Sequence, residues 1–205
     1  MKLAKHRLTQ HRPMVAASFA LMLIAIYPSD LSHYANCKPV SVAPCAIPAV
    51  HRVPTAVFHT TENYLRFVNT GVQIALPFLL RDKRGIKQLL LVGITTMTAT
   101  HGLKRVLNHR TSAGRRLGQR PWGEQSKHNM PSGHSSMASC AAAFVSRRYG
   151  PRHLWYLLPI LILTMVTRIG YGEHTVSAVF AGALLGVITT LPITSAFRAN
   201  PDNKG

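Results

Sequence analysis

Acidic residues are scarce. Six Asp and Glu stand against 24 Lys and Arg in 205 residues, for a formal net charge of +18. That ratio argues against an ordinary soluble domain, whose acids and bases are nearer balance. So few carboxylates also leave too few hard ligands for a two-metal site, so no metal and no other cofactor is expected. Aromatic residues make up only 7%. The basic residues carry no aromatic stacking platform and no nucleic-acid motif, which argues against a nucleic-acid partner. Internal repeats and low-complexity tracts are absent too. A disordered polycation does not fit, because 47% of the residues are hydrophobic.

What is present is segregation. Six segments lack Asp, Glu, Lys and Arg altogether: Pro13–Ser29, Phe67–Leu80, Gln88–Leu103, His128–Ser146, His153–Thr167 and Thr175–Phe197. Crossing a bilayer takes roughly 20 helical residues, and flanking Arg or Lys stems can snorkel where a segment is short. The expected fold is all-α: a single membrane-embedded domain over residues 1–205, built as a bundle of six transmembrane helices.

Loop charge sets an orientation. With a cytoplasmic N-terminus, the cytoplasmic pieces carry Lys2, Lys5, Arg7 and Arg12; Arg81, Lys83, Arg84 and Lys87; Arg147, Arg148 and Arg152; Arg198 and Lys204. All are short and basic, as the positive-inside rule asks. Loop 29–66 on the far side holds only Lys38, Arg52 and Arg66. Loop 104–127 breaks the rule, with Lys104, Arg105, Arg110, Arg115, Arg116, Arg120 and Lys127. A basic loop on the wrong side needs a reason, and an anionic ligand supplies one.

Several local features follow. Lys2 to Arg12 and then Met14–Tyr27 resemble a signal peptide, but no clean cleavage site follows, so an uncleaved first helix is expected. Cys37 and Cys45, in the Pro-rich outside loop 29–63, could pair on an oxidising face. Cys140 lies among small residues and reads as helix packing. Thr60 reads as a cap starting the second helix, Gly85 as the break before the third, and Gly150-Pro151 as the break before the fifth.

The chemistry lies in three clusters. Pro131-Ser132-Gly133-His134 heads an apolar helix. Its free backbone N–H groups and helix dipole favour an anion, Gly133 permits close approach, and His134 could donate a proton beside it. Arg168 and His174, with five residues between them, two of which are glycines, can converge on one anion: Arg as a bidentate fork, His as a nucleophile. Lys104 and Arg120-Pro121 complete the set. Cations on equatorial oxygens, a nucleophile and an acid are what phosphoryl transfer needs.

The order Lys…Arg-Pro, Pro-Ser-Gly-His, Arg-x5-His resembles the type-2 phosphatidic acid phosphatase superfamily, over about residues 100–190. The resemblance implies an integral-membrane phosphatase. It implies that His174 is the nucleophile that becomes a phosphohistidine and that His134 protonates the leaving group. Lys104, Arg120, Arg168, Ser132 and Gly133 would bind phosphate. Three positions depart from the family pattern. The Arg-Pro pair comes nine residues late, so either Arg120 follows an insertion or Arg110 substitutes; Arg120 is preferred because it keeps its Pro. Thr167 replaces Ser before Arg168. Ala178 stands where an Asp would orient His174, leaving Glu173, Glu62 or a backbone carbonyl to hold the imidazole.

Gly118-Gln-Arg-Pro-Trp-Gly and Asn129-Met-Pro-Ser-Gly-His-Ser-Ser further resemble the bacterial lipid A phosphatase branch. That implies a lipid phosphate substrate in the outer leaflet of a bacterial inner membrane, with the active site facing the periplasm. Arg110, Arg115, Arg116 and Lys127 suit a large, multiply charged headgroup. Undecaprenyl diphosphate and phosphatidylglycerol phosphate are other candidate substrates, and a phosphotransferase is another outcome of the same chemistry. A non-catalytic binder of anionic lipids is the rival of another class; it would tolerate loss of His134 and His174.

Overall fold

The computed structural model describes residues 55–112, 114–121 and 125–197. The first charge-free segment, Pro13–Ser29, and the Cys37–Cys45 pair lie outside the described residues. Each of the other five charge-free segments falls on a helix.

Helix α1, Thr55–Thr60, runs without a break into a π turn, Thr61–Leu65, and then α2, Arg66–Leu79. Thr60 does not cap a helix start, as the sequence suggests. It has helical dihedrals and makes no side-chain cap bond. The helix continues because the Arg66 N–H bonds back to Thr61 O, wrapping one extra residue into the turn.

Helix α3, Lys83–Leu107, carries the third segment. The break before it also differs from expectation. The chain turns at Arg81, which has a φ of 49°, and Gly85 lies inside the first turn of α3. Asp82 is the N-cap, accepting from Gly85 N at 2.9 Å. A Cβ on Gly85 would collide with both the Asp82 and Arg148 side chains. The glycine therefore makes room for an ion pair rather than a bend.

A short ribbon follows, Thr111–Ser112 (β1) against antiparallel Arg115–Arg116 (β2), which an all-helical reading leaves out. Then come α4, Gly133–Tyr149; a 3-10 turn, Pro151–His153; α5, Leu154–Gly170; and α6, Val176–Thr190. Gly150, with a φ of 113°, makes the break between α4 and α5.

Helix α4 is the centre of the bundle and packs against α2, α3, α5 and α6. Its small residues allow this. Ser135, Ser136, Ala138, Ser139, Cys140, Ala141 and Ala142 are all buried. Contact with α6 is closest: a Cβ on Gly182 would overlap the Ser132 carbonyl, and one on Gly186 would overlap the Ser136 carbonyl and Ser139 Oγ. Glycine at those two positions lets the backbones meet.

The interior is rich in polar groups. Thr96 bonds Thr189 at 2.7 Å, Thr100 bonds Ser136 at 3.0 Å, and Asn69 Nδ2 donates to Leu157 O at 3.0 Å. The exterior is apolar: Ile74, Leu79, Leu90, Ile94, Trp155, Ile162 and Phe180 are exposed. That inversion suits helices packed in lipid, where small and hydrogen-bonding side chains join helices. Among the described residues one helical stretch, Pro151–Gly170, is long and apolar enough to cross a membrane, and Val176–Thr190 is shorter and apolar.

At the end of α4 away from its N-terminus, Asp82 pairs with Arg148 and accepts from Tyr149 Oη at 3.0 Å. Arg148 also donates to Gln88 Oε1 at 2.9 Å and Ser195 O at 2.8 Å. This buried cluster ties the start of α3, the end of α4 and the segment after α6.

Candidate active site

The site forms where the N-terminus of α4 meets the α5–α6 turn. Ser132 is the N-cap of α4: extended backbone, with its Oγ accepting from Ser135 N at 3.4 Å. Its own N–H donates to Ala178 O at 2.8 Å, fixing the motif against α6. Gly133 and His134 are the first two helical residues. A Cβ on Gly133 would lie 3.9 Å from Lys104 Cε, so the lysine at the end of α3 flanks this helix start. Lys104 Nζ donates to His128 O at 3.1 Å.

Arg168 is in the last turn of α5. The chain then doubles back. Glu173 N and His174 N both bond Arg168 O, at 3.1 and 3.2 Å, and Gly172 takes a φ of 67° to close the turn. His174 is 2% exposed, and its Nδ1 lies 2.7 Å from Asn129 O. A carbonyl only accepts, so Nδ1 carries the proton and Nε2 keeps its lone pair. Asn129 also grips the next residue, accepting from Thr175 N at 3.0 Å and donating to Thr175 Oγ1 at 3.0 Å. Burial first, then the charges of Lys104, Arg168 and Arg120, push the His174 pKa down to about 3 against the pull of the Asn129 carbonyl. The imidazole is neutral, hydrogen-bonded from behind and surrounded by cations.

Of the two candidate arginines, Arg120 reaches the site. It pairs with Glu173, and Arg168 Nη2 lies 3.3 Å from the same Glu173 oxygen. Arg120 is tethered by its N–H to Ser126 Oγ at 2.7 Å and its Nε to Lys127 O at 3.0 Å. Arg110 sits exposed beside the ribbon, its carbonyl accepting from Leu117 N at 2.8 Å. The structure therefore brings together Lys104, Arg120, Ser132, Gly133, His134, Arg168 and His174.

The orienting group for His174 is the backbone carbonyl. Glu173 and Glu62 turn toward arginines instead. Ala178 is fully buried and packs with Met130 and Ala181. Two members of the site have roles that no motif assigns. Asn129 is visible only as the residue before Met-Pro-Ser-Gly-His. Arg66 is a lone base at the head of the second charge-free segment, and its Nη1 lies 3.3 Å from His134 Nε2. No group of three or more His, Cys, Asp and Glu side chains gathers as a metal site among the described residues.

Cations around a buried neutral imidazole, beside a helix N-terminus bearing a second imidazole, form a centre for phosphoryl transfer. The chain belongs to the PAP2 superfamily, whose family model matches residues 87–202. It is 43% identical over 154 residues to the lipid A 1-phosphatase of Helicobacter pylori (strain J99), covering 75% of this chain and 79% of that protein. The lipid A 4'-phosphatase of the same organism is 35% identical over 136 residues, covering 65% and 68%. A crystal structure of a transmembrane PAP2 type phosphatidylglycerolphosphate phosphatase from Bacillus subtilis matches with a TM-score of 0.45 and 20% identity, over 87% of this chain and 93% of that one.

Proposed function

We propose that this membrane lipid phosphatase removes a phosphate from lipid A, at the periplasmic face of the inner membrane, through a phosphohistidine on His174. The observation that carries the mechanism is the His174 imidazole itself: Nδ1 is bonded to Asn129 O, leaving the Nε2 lone pair for phosphorus. Nε2 attacks the phosphorus while the bond to the leaving oxygen breaks. Lys104, Arg120 and Arg168 take the charge on the equatorial oxygens, with the N–H of Gly133 at the start of α4, which Ser132 caps. His134 gives its proton to the leaving oxygen of the lipid headgroup. In the second half, His134 takes a proton from water as its oxygen attacks phosphorus. The phosphorus–nitrogen bond breaks, phosphate leaves, and His174 returns to neutral.

Two features support lipid A as substrate. Identity to the 1-phosphatase, at 43%, exceeds that to the 4'-phosphatase, at 35%, which favours the 1-phosphate. The excess of bases in loop 104–127 suits a headgroup with more than one phosphate. In this reading one domain spans residues 1–205, six helices cross the bilayer, and both termini are cytoplasmic. The loop charges and the apolar exterior of α2, α3, α5 and α6 support it.

The test is phosphate release by purified protein from lipid A, undecaprenyl diphosphate and phosphatidylglycerol phosphate, with His174→Ala as control. Mass spectrometry of the lipid A product gives the position removed. Release from lipid A at the 1-position, lost in His174→Ala, is the expected result. A preference for either other lipid would overturn the substrate. A covalent phosphoenzyme that persists in His174→Ala would overturn the nucleophile. Reporter fusions that place residues 104–131 in the cytoplasm would overturn the orientation.

A further inference from the structure

Glu62 and Arg66 enter the site from the α1–α2 helix, upstream of every motif. Glu62 Oε1 is shared: it pairs with Arg66 Nη1 and lies 2.8 Å from Arg168 Nη1. Arg66 Nη1 reaches His134 Nε2 at 3.3 Å. Its guanidinium also rests 4.6 Å from the Phe67 ring centroid, which fixes the stem. Both residues belong to the π turn at Thr61–Leu65 or its C-cap. Such single wide turns recur at functional sites. The Nε atoms of Arg66 and Arg168 are both buried without a partner among the described residues. Two guanidinium groups on one carboxylate thus each keep an unused N–H donor. Unpaired buried donors are costly unless a ligand meets them.

We propose that Arg66 is a fourth phosphate-binding cation, on the leaving-group side of the site, and that Glu62 is the positioning residue that holds Arg66 and Arg168 toward one anion. The proposal rests on the lipid phosphatase reading and adds residues that no motif supplies. Arg66 touches His134, the group that faces the leaving oxygen in that reading, so its charge serves that side. Arg168, Lys104 and Arg120 surround His174 on the other. Electrostatic balance agrees. Four side-chain cations, Lys104, Arg66, Arg120 and Arg168, meet two carboxylates, Glu62 and Glu173. With His174 neutral, two positive charges remain before the proton that His134 gives is counted, enough to meet a phosphate monoester dianion. Glu62 and Glu173 also occupy the arginine Nη atoms when no phosphate is bound, so like charges are not left facing one another.

The test uses the full chain purified in detergent. Wild type, Arg66→Gln, Arg66→Lys and Glu62→Gln are compared by thermal melting, by kcat and KM on lipid A, and by inhibition with inorganic phosphate. Direct binding of inorganic phosphate is measured by calorimetry. Losing one charge-assisted contact should weaken phosphate binding and inhibition about tenfold or more in Arg66→Gln. Arg66→Lys should recover part of that loss, because it keeps the charge and loses the fork. Glu62→Gln should lower kcat while phosphate inhibition stays or tightens, because aim is lost and net charge rises. Wild-type phosphate inhibition and KM in Arg66→Gln, with a wild-type melt, overturns the proposal. If Arg66→Gln does not fold, Arg66→Lys decides: a raised KM at an unchanged melting temperature supports it, and a wild-type KM overturns it. A wild type that releases phosphate from no lipid defeats the phosphatase reading instead, and the calorimetric arm still decides the role of Arg66.

Discussion

His174 Nδ1 lies 2.7 Å from the carbonyl oxygen of Asn129. Main chain does here what a carboxylate does elsewhere in the family pattern. The carbonyl fixes the tautomer and the ring plane without adding a charge, and Ala178 can then be a packing residue.

Ala178→Asp should therefore not improve the enzyme. The site of the new carboxylate is fully buried against Met130 and Ala181. An unpaired buried carboxylate is strongly unfavourable, on the order of several kcal/mol. The expected outcome is a lower melting temperature and no gain in kcat. A rise in kcat would mean that the carbonyl holds His174 poorly.

The pH profile should carry the mark of a buried, neutral nucleophile. The dependence of kcat/KM reports groups of the free enzyme. With its pKa held at about 3, His174 stays neutral through pH 5, so its acid limb falls far below the ordinary histidine range. Lys104→Gln removes the strongest of the charges that depress it and should move that limb upward. Stability follows the same sign. The unfolded chain takes up the proton near pH 6.5, roughly, and the folded chain only near the lower value. The contribution is thus complete above the unfolded pKa and is lost as pH falls between the two. Melting at pH 7.5 and pH 5 should show a larger drop for wild type than for His174→Ala. An acid limb at the ordinary histidine value refutes the assignment.

Arg120→Ala should cost far more than Arg110→Ala. Arg120 meets Glu173 beside Arg168, whereas Arg110 is exposed. Removing one preorganised donor to the charge that develops in the transition state is worth roughly 100–1,000-fold in rate. Arg110→Ala should stay within a few-fold of wild type. Arg168→Lys belongs with the damaging changes, because an ammonium lacks the fork. Equal losses at Arg110 and Arg120 would count against the insertion.

Gly182→Ala should damage the site through packing. The added methyl would overlap the Ser132 carbonyl, pushing the α4 N-terminus away from α6. Gly71→Ala is the control, with open space around the new carbon. In mid-helix that change is favourable by roughly 0.5–1 kcal/mol. Kinetics and melting of both variants give the contrast: Gly182→Ala loses activity, and Gly71→Ala keeps it.

Asp82→Asn should unfold rather than inactivate. It leaves the Arg148 charge buried, with side-chain exposures of 2% for Arg148 and 5% for Asp82 in the intact pair. Breaking a buried pair from one side costs about 3–5 kcal/mol. The melting temperature should fall while KM of the surviving folded fraction is unchanged. A selective KM effect would instead tie this end of the bundle to substrate.

Much of this was legible in the sequence because bilayers and phosphates impose simple patterns. Gaps in charge marked five helices, since charged groups sit at helix ends. Pro131–His134 announced a helix start, and Arg168 and His174 announced a convergent turn. The order of basic motifs favoured Arg120 over Arg110. Other parts carry no side-chain signature. The partner of His174 is a carbonyl, which every residue owns. Arg66 lies far upstream in a helix whose register depends on a π turn, and periodicity does not reveal one extra wrapped residue. Gly85 reads as a breaker because its true constraint, the Asp82–Arg148 pair, joins positions far apart in the chain.

The hydroxyls inside the bundle have one more consequence. Thr96, Thr100, Ser136 and Thr189 join helices through hydrogen bonds, while leucine and isoleucine face outward. Tolerance to substitution is therefore turned inside out relative to a water-soluble protein. Exchanging Ile94 or Ile162 for another aliphatic residue changes only the exposed apolar surface. Enlarging Ser136 or Ser139 by a few methyl groups wedges apart the helices that aim Ser132 and His134. An evolutionary record of this chain would drift on its greasy exterior and stand still on its small, polar interior.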